Sequence, residues 1–104
     1  MQVTLCQVSE VPEGTMKHFE LMGYDLLAVH LSGRYFVLDG ACTVRFADLA
    51  QGRLDAEKMA IVCSDCGGSW ELETGQPKDP PASFPLTTYS VEPSGDELTI
   101  TFTY

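Results

Sequence analysis

Basic residues are scarce in this 104-residue chain. Lysine and arginine together number 6, against 15 aspartates and glutamates, and the formal net charge is −9. Nucleic acid is therefore excluded as an expected partner, because binding a phosphate backbone needs a positive surface. The acidic balance either serves solubility alone or favours docking to a basic surface on another protein, since opposite charges accelerate encounter.

Long apolar runs are missing as well. No run approaches the ~20 residues with which a helix crosses a bilayer. The first six residues lack the basic start and apolar stretch of a signal peptide. We therefore expect no membrane association and a cytoplasmic location. Hydrophobic residues nevertheless make up 44% of the chain, which is enough for one globular domain over residues 1–104.

Helical periodicity is absent, and short alternating segments take its place. Clusters of Gly, Pro and Asp separate these segments and indicate turns, one of them the hairpin signal Ser32-Gly33. We predict a turn at 52–55 and a short helical turn at 46–49. Many short strands with frequent turns are typical of an all-β antiparallel sandwich or barrel. The predicted strands cover residues 3–8, 16–21, 26–31, 34–38, 59–62, 69–72, 88–92 and 97–103.

Three cysteines carry the clearest chemical signal. Cys63 and Cys66 form a Cys-x-x-Cys pair before Gly67-Gly68, and Cys42 lies on an earlier Gly-flanked loop. Cysteines in a cytosolic chain are more often metal-binding or catalytic than disulfide-forming. Because two loop tips can converge on one ion, these three are candidate ligands of an iron–sulfur cluster or a thiolate-bound metal. Cys6, in a predicted strand, is expected to be a small buried hydrophobe.

The sequence shows no recognisable catalytic pattern. The two histidines, His18 and His30, lie in predicted strands, and we expect surface positions for both. Gly67-Gly68 lacks the Gly-Lys-Ser/Thr of a phosphate loop. The Cys-x-x-Cys pair lies between predicted strands and not at a helix start, where a redox dithiol usually sits. Trp70 and Phe84 are expected to fill the core, so we assign no catalytic residue.

The chain is similar, over nearly its whole length, to the Rieske family of iron–sulfur proteins. Five segments carry the resemblance. They are Leu38-Asp39-Gly40-Ala41-Cys42-Thr43 (first ligand loop, Cys-x-His), Ile61-Val62-Cys63-Ser64-Asp65-Cys66-Gly67 (second loop, Cys-x-x-His-Gly), Trp70-Glu71-Leu72-Glu73-Thr74-Gly75 (a hairpin), Asp79-Pro80-Pro81 with Pro85-Leu86 (the proline cover), and Thr88-Tyr89-Ser90-Val91. The resemblance implies a β base with a two-loop cluster-binding subdomain at about residues 39–82.

The departures from the family pattern fall on the ligands. The two histidine positions correspond to Val44, which has no donor atom, and Cys66, which offers a thiolate. A Rieske [2Fe–2S] cluster takes two thiolates and two imidazoles, so that ligation cannot be assembled here. One alternative is an iron–sulfur centre on Cys42, Cys63 and Cys66, completed by an outside thiol, water or Asp65. The others are a single iron or zinc ion, or no metal, with thiols that stay reduced or form a disulfide such as Cys42–Cys63.

The resemblance implies a small ferredoxin-like electron carrier with Cys-rich ligation, which serves an oxidoreductase partner that has a basic docking surface. Such a protein is not itself an enzyme. The alternative is an interaction or regulatory subunit that kept the fold and lost the cluster, resembling the small subunit of nitrite reductases. Val44 and the acidic surface favour this second hypothesis, and the three thiols favour the first.

Overall fold

The computed structural model describes residues 2–44 and 46–101, and strands dominate this part of the chain. We number them β1 to β10 in chain order, and two 3-10 helices, Val8–Glu10 and Leu49–Gln51, accompany them. The all-β prediction is confirmed. None of the helices in the described ranges is long and apolar enough to cross a membrane. The strands are Gln2–Gln7, Thr15–Leu21, Tyr24–Leu31, Arg34–Asp39, Arg53–Asp55, Ala60–Val62, Ser69–Glu71, Pro77–Asp79, Thr88–Ser94 and Glu97–Thr101.

Six strands form an antiparallel sheet in the order β1-β10-β9-β4-β3-β2. Tight turns of two residues set its register. In the β3–β4 hairpin, Leu31 pairs with Arg34, and Ser32 and Gly33 both have positive φ, at 54° and 73°. Turns of that conformation match the right-handed twist of the flanking strands. The predicted hairpin at Ser32-Gly33 is therefore confirmed.

Strand β3 separates two hydrophobic clusters. Leu27 and Val29 face a cluster that includes Cys42, Cys63 and Trp70. The intervening residues of β3 face a second cluster, which contains Cys6, Leu98 and Ile100. Side chains alternate across a strand, so one continuous apolar segment covers both faces of the sheet. The thiol loops pack on the first face, and Cys6 is buried on the other side, as predicted.

The chain between β4 and β9 forms a second sheet. Its four short strands run antiparallel in the order β5-β6-β7-β8. Its buried residues Ile61 and Trp70 belong to the first cluster, as does Leu72 directly after β7. Strands β4 and β9 are neighbours in the large sheet, where Leu38 pairs with Thr88. The segment between them therefore leaves the large sheet and returns to the adjacent strand.

Asp39 joins the two ends of the segment between β4 and β9. Its backbone N–H donates to the carbonyl oxygen of Thr87 over 2.9 Å. Its carboxylate accepts from the backbone N–H of Thr87 over 3.1 Å and from the Tyr89 hydroxyl over 2.9 Å. The first thiol loop begins directly after Asp39, so the position of Cys42 depends on this closure.

Several local predictions were wrong. Residues 53–55, predicted as a turn, form strand β5, in which Leu54 pairs with Ile61. Strand β8, which begins at Pro77, was not predicted; it lies at the sheet edge, where proline is tolerated. The helical turn predicted at 46–49 lies at Leu49–Gln51, where the Asp48 side chain accepts from the backbone N–H of Ala50. Residues 102 and 103 of the last predicted strand lie outside the described residues.

We predict that Gly75→Ala destabilises the fold more than Gly95→Ala. Both glycines have positive φ, at 77° and 63°, and an alanine there costs about 1–2 kcal/mol. At Gly75 an added Cβ would also collide with the Leu86 carbonyl oxygen, whereas the space around Gly95 is open. Overpacking of that kind costs a further ~1–3 kcal/mol.

The measurement is the free energy of unfolding from urea titration of both variants. Gly95→Ala is the matched control, because it has the backbone strain without the collision. Equal losses in the two variants would contradict the close approach of Leu86 to Gly75.

Candidate metal centre

The first thiol loop is a closed turn held by its own backbone. The N–H of Cys42 donates to the carbonyl oxygen of Ala47 over 2.9 Å, and the N–H of Phe46 donates back to the carbonyl oxygen of Cys42 over 2.8 Å. The N–H of Leu49 reaches the carbonyl oxygen of Gly40 over 2.9 Å. These bonds hold Cys42 in place, and it is fully buried.

The second thiol loop is built in the same way between β6 and β7. The N–H of Cys63 donates to the carbonyl oxygen of Gly68, and the N–H of Gly67 donates to that of Cys63, over 2.9 and 3.0 Å. Gly67 has a φ of 79°, a left-handed conformation that favours glycine. Cys63 is buried and Cys66 is half-buried. One thiol of the Cys-x-x-Cys pair therefore points into the core, and the other lies near the surface.

The two loops bring three sulfur atoms together. The Sγ atoms of Cys42, Cys63 and Cys66 all lie within 4.8 Å of one another. Those of Cys42 and Cys66 are 3.4 Å apart. Two thiolates on one ion, with metal–sulfur bonds of about 2.3 Å, lie at most about 4.6 Å apart. The expected convergence is present, and the separation of the Cys42 and Cys66 sulfurs lies within that limit. That these cysteines are ligands stays a prediction.

Backbone amides point at two of these sulfurs. The N–H of Val44 donates to Cys42 Sγ over 3.3 Å, and the N–H of Gly68 donates to Cys66 Sγ over 3.4 Å. Burial raises the pKa of the Cys66 thiol to about 11, the Gly68 amide lowers it, and the thiols of Cys42 and Cys63 raise it further. Cys66 is therefore protonated at neutral pH in the metal-free protein, and metal binding must release its proton.

Residues 79–84 run across both loops. The carbonyl oxygen of Phe84 accepts from Thr43 Oγ1 over 3.0 Å and from Trp70 Nε1 over 2.9 Å. Ala82 packs beside Gly68, where even an added Cβ would be crowded. The expected proline cover is therefore held by Ala82 and Phe84, while Pro80 and Pro81 are exposed. Sequence reasoning missed these contacts, although a buried tryptophan usually needs a partner for its N–H.

Two exposed aromatic side chains frame the site. Phe46 is 80% exposed and Phe84 is 69% exposed, so the prediction that Phe84 fills the core was wrong. The backbone of Phe84 is held by Thr43 and Trp70, and its ring faces outward. A cavity of about 290 Å³ beside Cys42 is lined in part by Phe46, Asp25 and Asp39. The two exposed rings thus form an apolar rim beside a cavity that also carries acidic side chains.

The two histidines contact other residues and not the thiols. His18 Nε2 is 3.3 Å from Asp25 Oδ1. His30 Nδ1 is 2.9 Å from the carbonyl oxygen of Val11, and its ring stacks on Tyr35 with centroids 4.0 Å apart. Over residues 2–44 and 46–101, no histidine or carboxylate joins the three-cysteine group. Neither histidine supplies a fourth ligand.

Comparison with known proteins gives consistent matches. A model of the Rieske [2Fe–2S] domain matches residues 1–90. Ferredoxin CarAc of Metapseudomonas resinovorans is 30% identical over 95 residues, which cover 90% of this chain and 87% of that protein. The solved structure of a Sphingomonas yanoikuyae B1 ferredoxin is 30% identical, with a TM-score of 0.90 over 99% of this chain and 100% of that one.

A further match comes from a solved complex of reduced oxygenase and oxidized ferredoxin in carbazole 1,9a-dioxygenase. One of its chains is 26% identical to this chain, with a TM-score of 0.86. The match covers 95% of this chain and 91% of that one. The fold around the thiols is therefore that of small iron–sulfur ferredoxins.

We predict that air oxidation of the metal-free protein joins Cys42 to Cys66 and leaves Cys63 as a thiol. Their sulfurs are 3.4 Å apart and need only a small movement to reach a bond length of about 2.05 Å. Dioxygen accepts the two electrons, and each thiol loses its proton. Peptide mapping by mass spectrometry without reductant identifies the pair.

Cys63→Ser is the matched variant and should keep this crosslink, whereas Cys66→Ser should abolish it. A Cys42–Cys63 disulfide as the main product would contradict the geometry of the loops.

Proposed function

The chain belongs to the Rieske [2Fe–2S] domain family, and on that premise we propose that it is a ferredoxin-type electron carrier. Cys42, Cys63 and Cys66 hold its iron–sulfur centre, and residues 39–82 form its cluster-binding subdomain. One observation carries the proposal: three sulfur atoms lie within 4.8 Å of one another on two loops. The similarity to the Sphingomonas yanoikuyae ferredoxin over the whole chain supports it.

The donor set fits a centre held by three thiolates. It does not fit the two-thiolate, two-imidazole ligation of a Rieske cluster, because Val44 and Cys66 replace the imidazoles. When bound, the cluster supplies one-electron transfer at a potential set by its ligands and their hydrogen bonds. The Val44 and Gly68 amides stabilise negative charge on the sulfurs of Cys42 and Cys66.

The surface around the thiols suits docking to a redox partner. Phe46 and Phe84 offer exposed apolar contact area beside the first thiol loop, and a partner seated on them would exclude water from the site. The net charge of −9 attracts a basic surface. We assign an oxidoreductase, such as an oxygenase component, as that partner. The oxygenase–ferredoxin complex with a similar chain supports this assignment.

We place the protein in the cytoplasm. None of its four cysteines forms a disulfide, and cysteines outside disulfides persist in a reducing compartment. The chain acts as a carrier and not as a catalyst, and its similarity to ferredoxin CarAc and to the Sphingomonas yanoikuyae ferredoxin supports this role. In this role it needs no substrate pocket of its own.

A cluster-less interaction subunit is the second candidate function. Val44 favours it, because a valine at a ligand position packs against the core and binds no metal. The same acidic surface and apolar rim would then serve assembly with a larger subunit. Metal content separates the two functions, since they share every feature of the fold.

We predict that protein prepared without oxygen contains two iron and two sulfide per chain, as a [2Fe–2S] centre requires. Cys66→Ser should lose most of both, because one of three thiolates is removed. Iron and acid-labile sulfide analysis, with the visible spectrum, gives the measurement.

Cys6→Ser is the matched control. Cys6 is also a buried thiol, but it lies in the other hydrophobic cluster, so its loss should leave the iron content unchanged. Wild-type protein that stays iron-free after reconstitution would favour the cluster-less subunit instead.

We also predict a low reduction potential that does not change with pH near neutrality. Thiolate in place of imidazole adds negative charge, which moves the potential toward the roughly −400 mV of all-cysteine clusters. Without imidazole ligands, no ligand proton titrates near pH 7. Potentials measured from pH 6 to pH 9 check both points.

Cys66→His should raise the potential and introduce a fall of potential with rising pH, because a ligating imidazole binds its proton more tightly in the reduced state. A wild-type potential that already falls with pH in this range would contradict the all-thiolate donor set.

A further inference from the structure

We propose that the cluster-free protein binds a single zinc ion through Cys42, Cys63 and Cys66, as a second occupant of the thiol site. The inference goes beyond the proposed function, because it concerns the form of the chain that carries no iron–sulfur centre. It rests on how close together the three sulfurs lie, and it applies to an electron carrier and to a cluster-less subunit alike.

The distances between the sulfurs fit one ion. The Sγ atoms of Cys42 and Cys66 are 3.4 Å apart, and no pair among the three exceeds 4.8 Å. Ligands of one tetrahedral zinc ion, with bonds of about 2.3 Å, lie about 3.8 Å from each other. Thiolates on the two irons of a binuclear cluster lie farther apart, since the second iron and the bridging sulfides separate them. A cluster therefore requires the two loops to move apart, whereas one ion requires only small shifts of side chains.

The chemistry of the donors selects zinc over the harder divalent ions. Thiolates are soft ligands, which zinc accepts, whereas magnesium and calcium take oxygen donors. Zinc sites with three protein ligands take water in the fourth position. The three sulfurs that the described residues bring together are therefore a sufficient protein donor set for one zinc ion.

Charge at the site favours a divalent ion over a monovalent one such as copper(I). Three thiolates bring negative charge into a site where Cys42 and Cys63 are 0% and 1% exposed. Buried charge is costly unless it is compensated, and a divalent ion compensates more of it. Asp25 and Asp39 line the cavity beside Cys42, so the surroundings add further negative potential. The thiol site therefore favours the ion of higher charge.

Two backbone amides are arranged for thiolate ligands. The N–H of Val44 contacts Cys42 Sγ over 3.3 Å, and the N–H of Gly68 contacts Cys66 Sγ over 3.4 Å. Hydrogen bonds of this kind orient metal ligands and stabilise their charge. Because both amides belong to the loops themselves, this support is already in place before an ion arrives.

The test titrates metal-free protein with zinc in competition with a weak chromophoric chelator. The protein is reduced with a phosphine and kept under anaerobic conditions. Native mass spectrometry counts the bound ions, and cobalt(II) serves as a spectroscopic probe of the same site. We expect one zinc ion per monomer. The cobalt form should show the intense thiolate-to-metal charge-transfer bands of sulfur ligation and the visible bands of a tetrahedral ion.

Cys66→Ser is the diagnostic variant, because Cys66 is half-buried and its replacement disturbs the core least. Its zinc affinity should fall by more than about 100-fold, since even the hydrogen-bond partners of metal ligands contribute roughly 10–100-fold. Its cobalt charge-transfer bands should weaken in proportion to the lost thiolate. Cys6→Ser is the matched control. It removes a buried thiol of the other hydrophobic cluster and should bind zinc as the wild type does.

Three results would overturn the inference: wild-type protein that leaves zinc with the chelator, one zinc ion shared by two chains, or Cys66→Ser protein that binds zinc as tightly as the wild type. Iron and sulfide uptake by the same preparation tests the proposed function separately. Protein that takes up iron and sulfide but no zinc contradicts the inference alone. Protein that takes up zinc but no iron and sulfide contradicts the proposed function alone.

Discussion

The closure at Asp39 is the constraint on which the site depends. The chain leaves the large sheet after this residue and must return beside it at Thr88, since β4 and β9 are paired. Closing a loop of almost fifty residues costs about 3 kcal/mol or more in chain entropy. Bonds from Asp39 to Thr87 and Tyr89, together with burial of Trp70 and Leu72, offset that cost. Both thiol loops belong to the segment that is held in this way.

Fold and ligation are specified by different atoms in this chain. The two loops are shaped by backbone hydrogen bonds, such as those between Cys42 and Ala47 and between Cys63 and Gly68. None of these bonds uses the side chain at position 44 or 66. Valine and cysteine can therefore replace imidazoles without changing the loop path, and the fold persists while its coordination chemistry changes.

Much of the architecture was readable from the sequence, because it depends on local rules. The alternation of apolar and polar residues, together with the Ser32-Gly33 turn, predicted most strands of the large sheet. The small sheet was harder, since β5 and β8 are three residues long and owe their extended conformation to neighbouring strands. Spacing identified Cys42, Cys63 and Cys66, but not that the sulfurs of Cys42 and Cys66 are in contact. That contact and the exposure of Phe84 depend on how distant segments approach each other in space.

The hydrogen bond from Trp70 to the carbonyl oxygen of Phe84 makes the site accessible to fluorescence spectroscopy. This oxygen accepts hydrogen bonds from both the first thiol loop and the indole of Trp70, and Trp70 is the one tryptophan of the chain. The chain thus carries an intrinsic fluorophore attached to the site through a shared acceptor. Its emission comes from this one place, so quenching by iron or displacement of the Phe84 segment can be followed in real time without an added label.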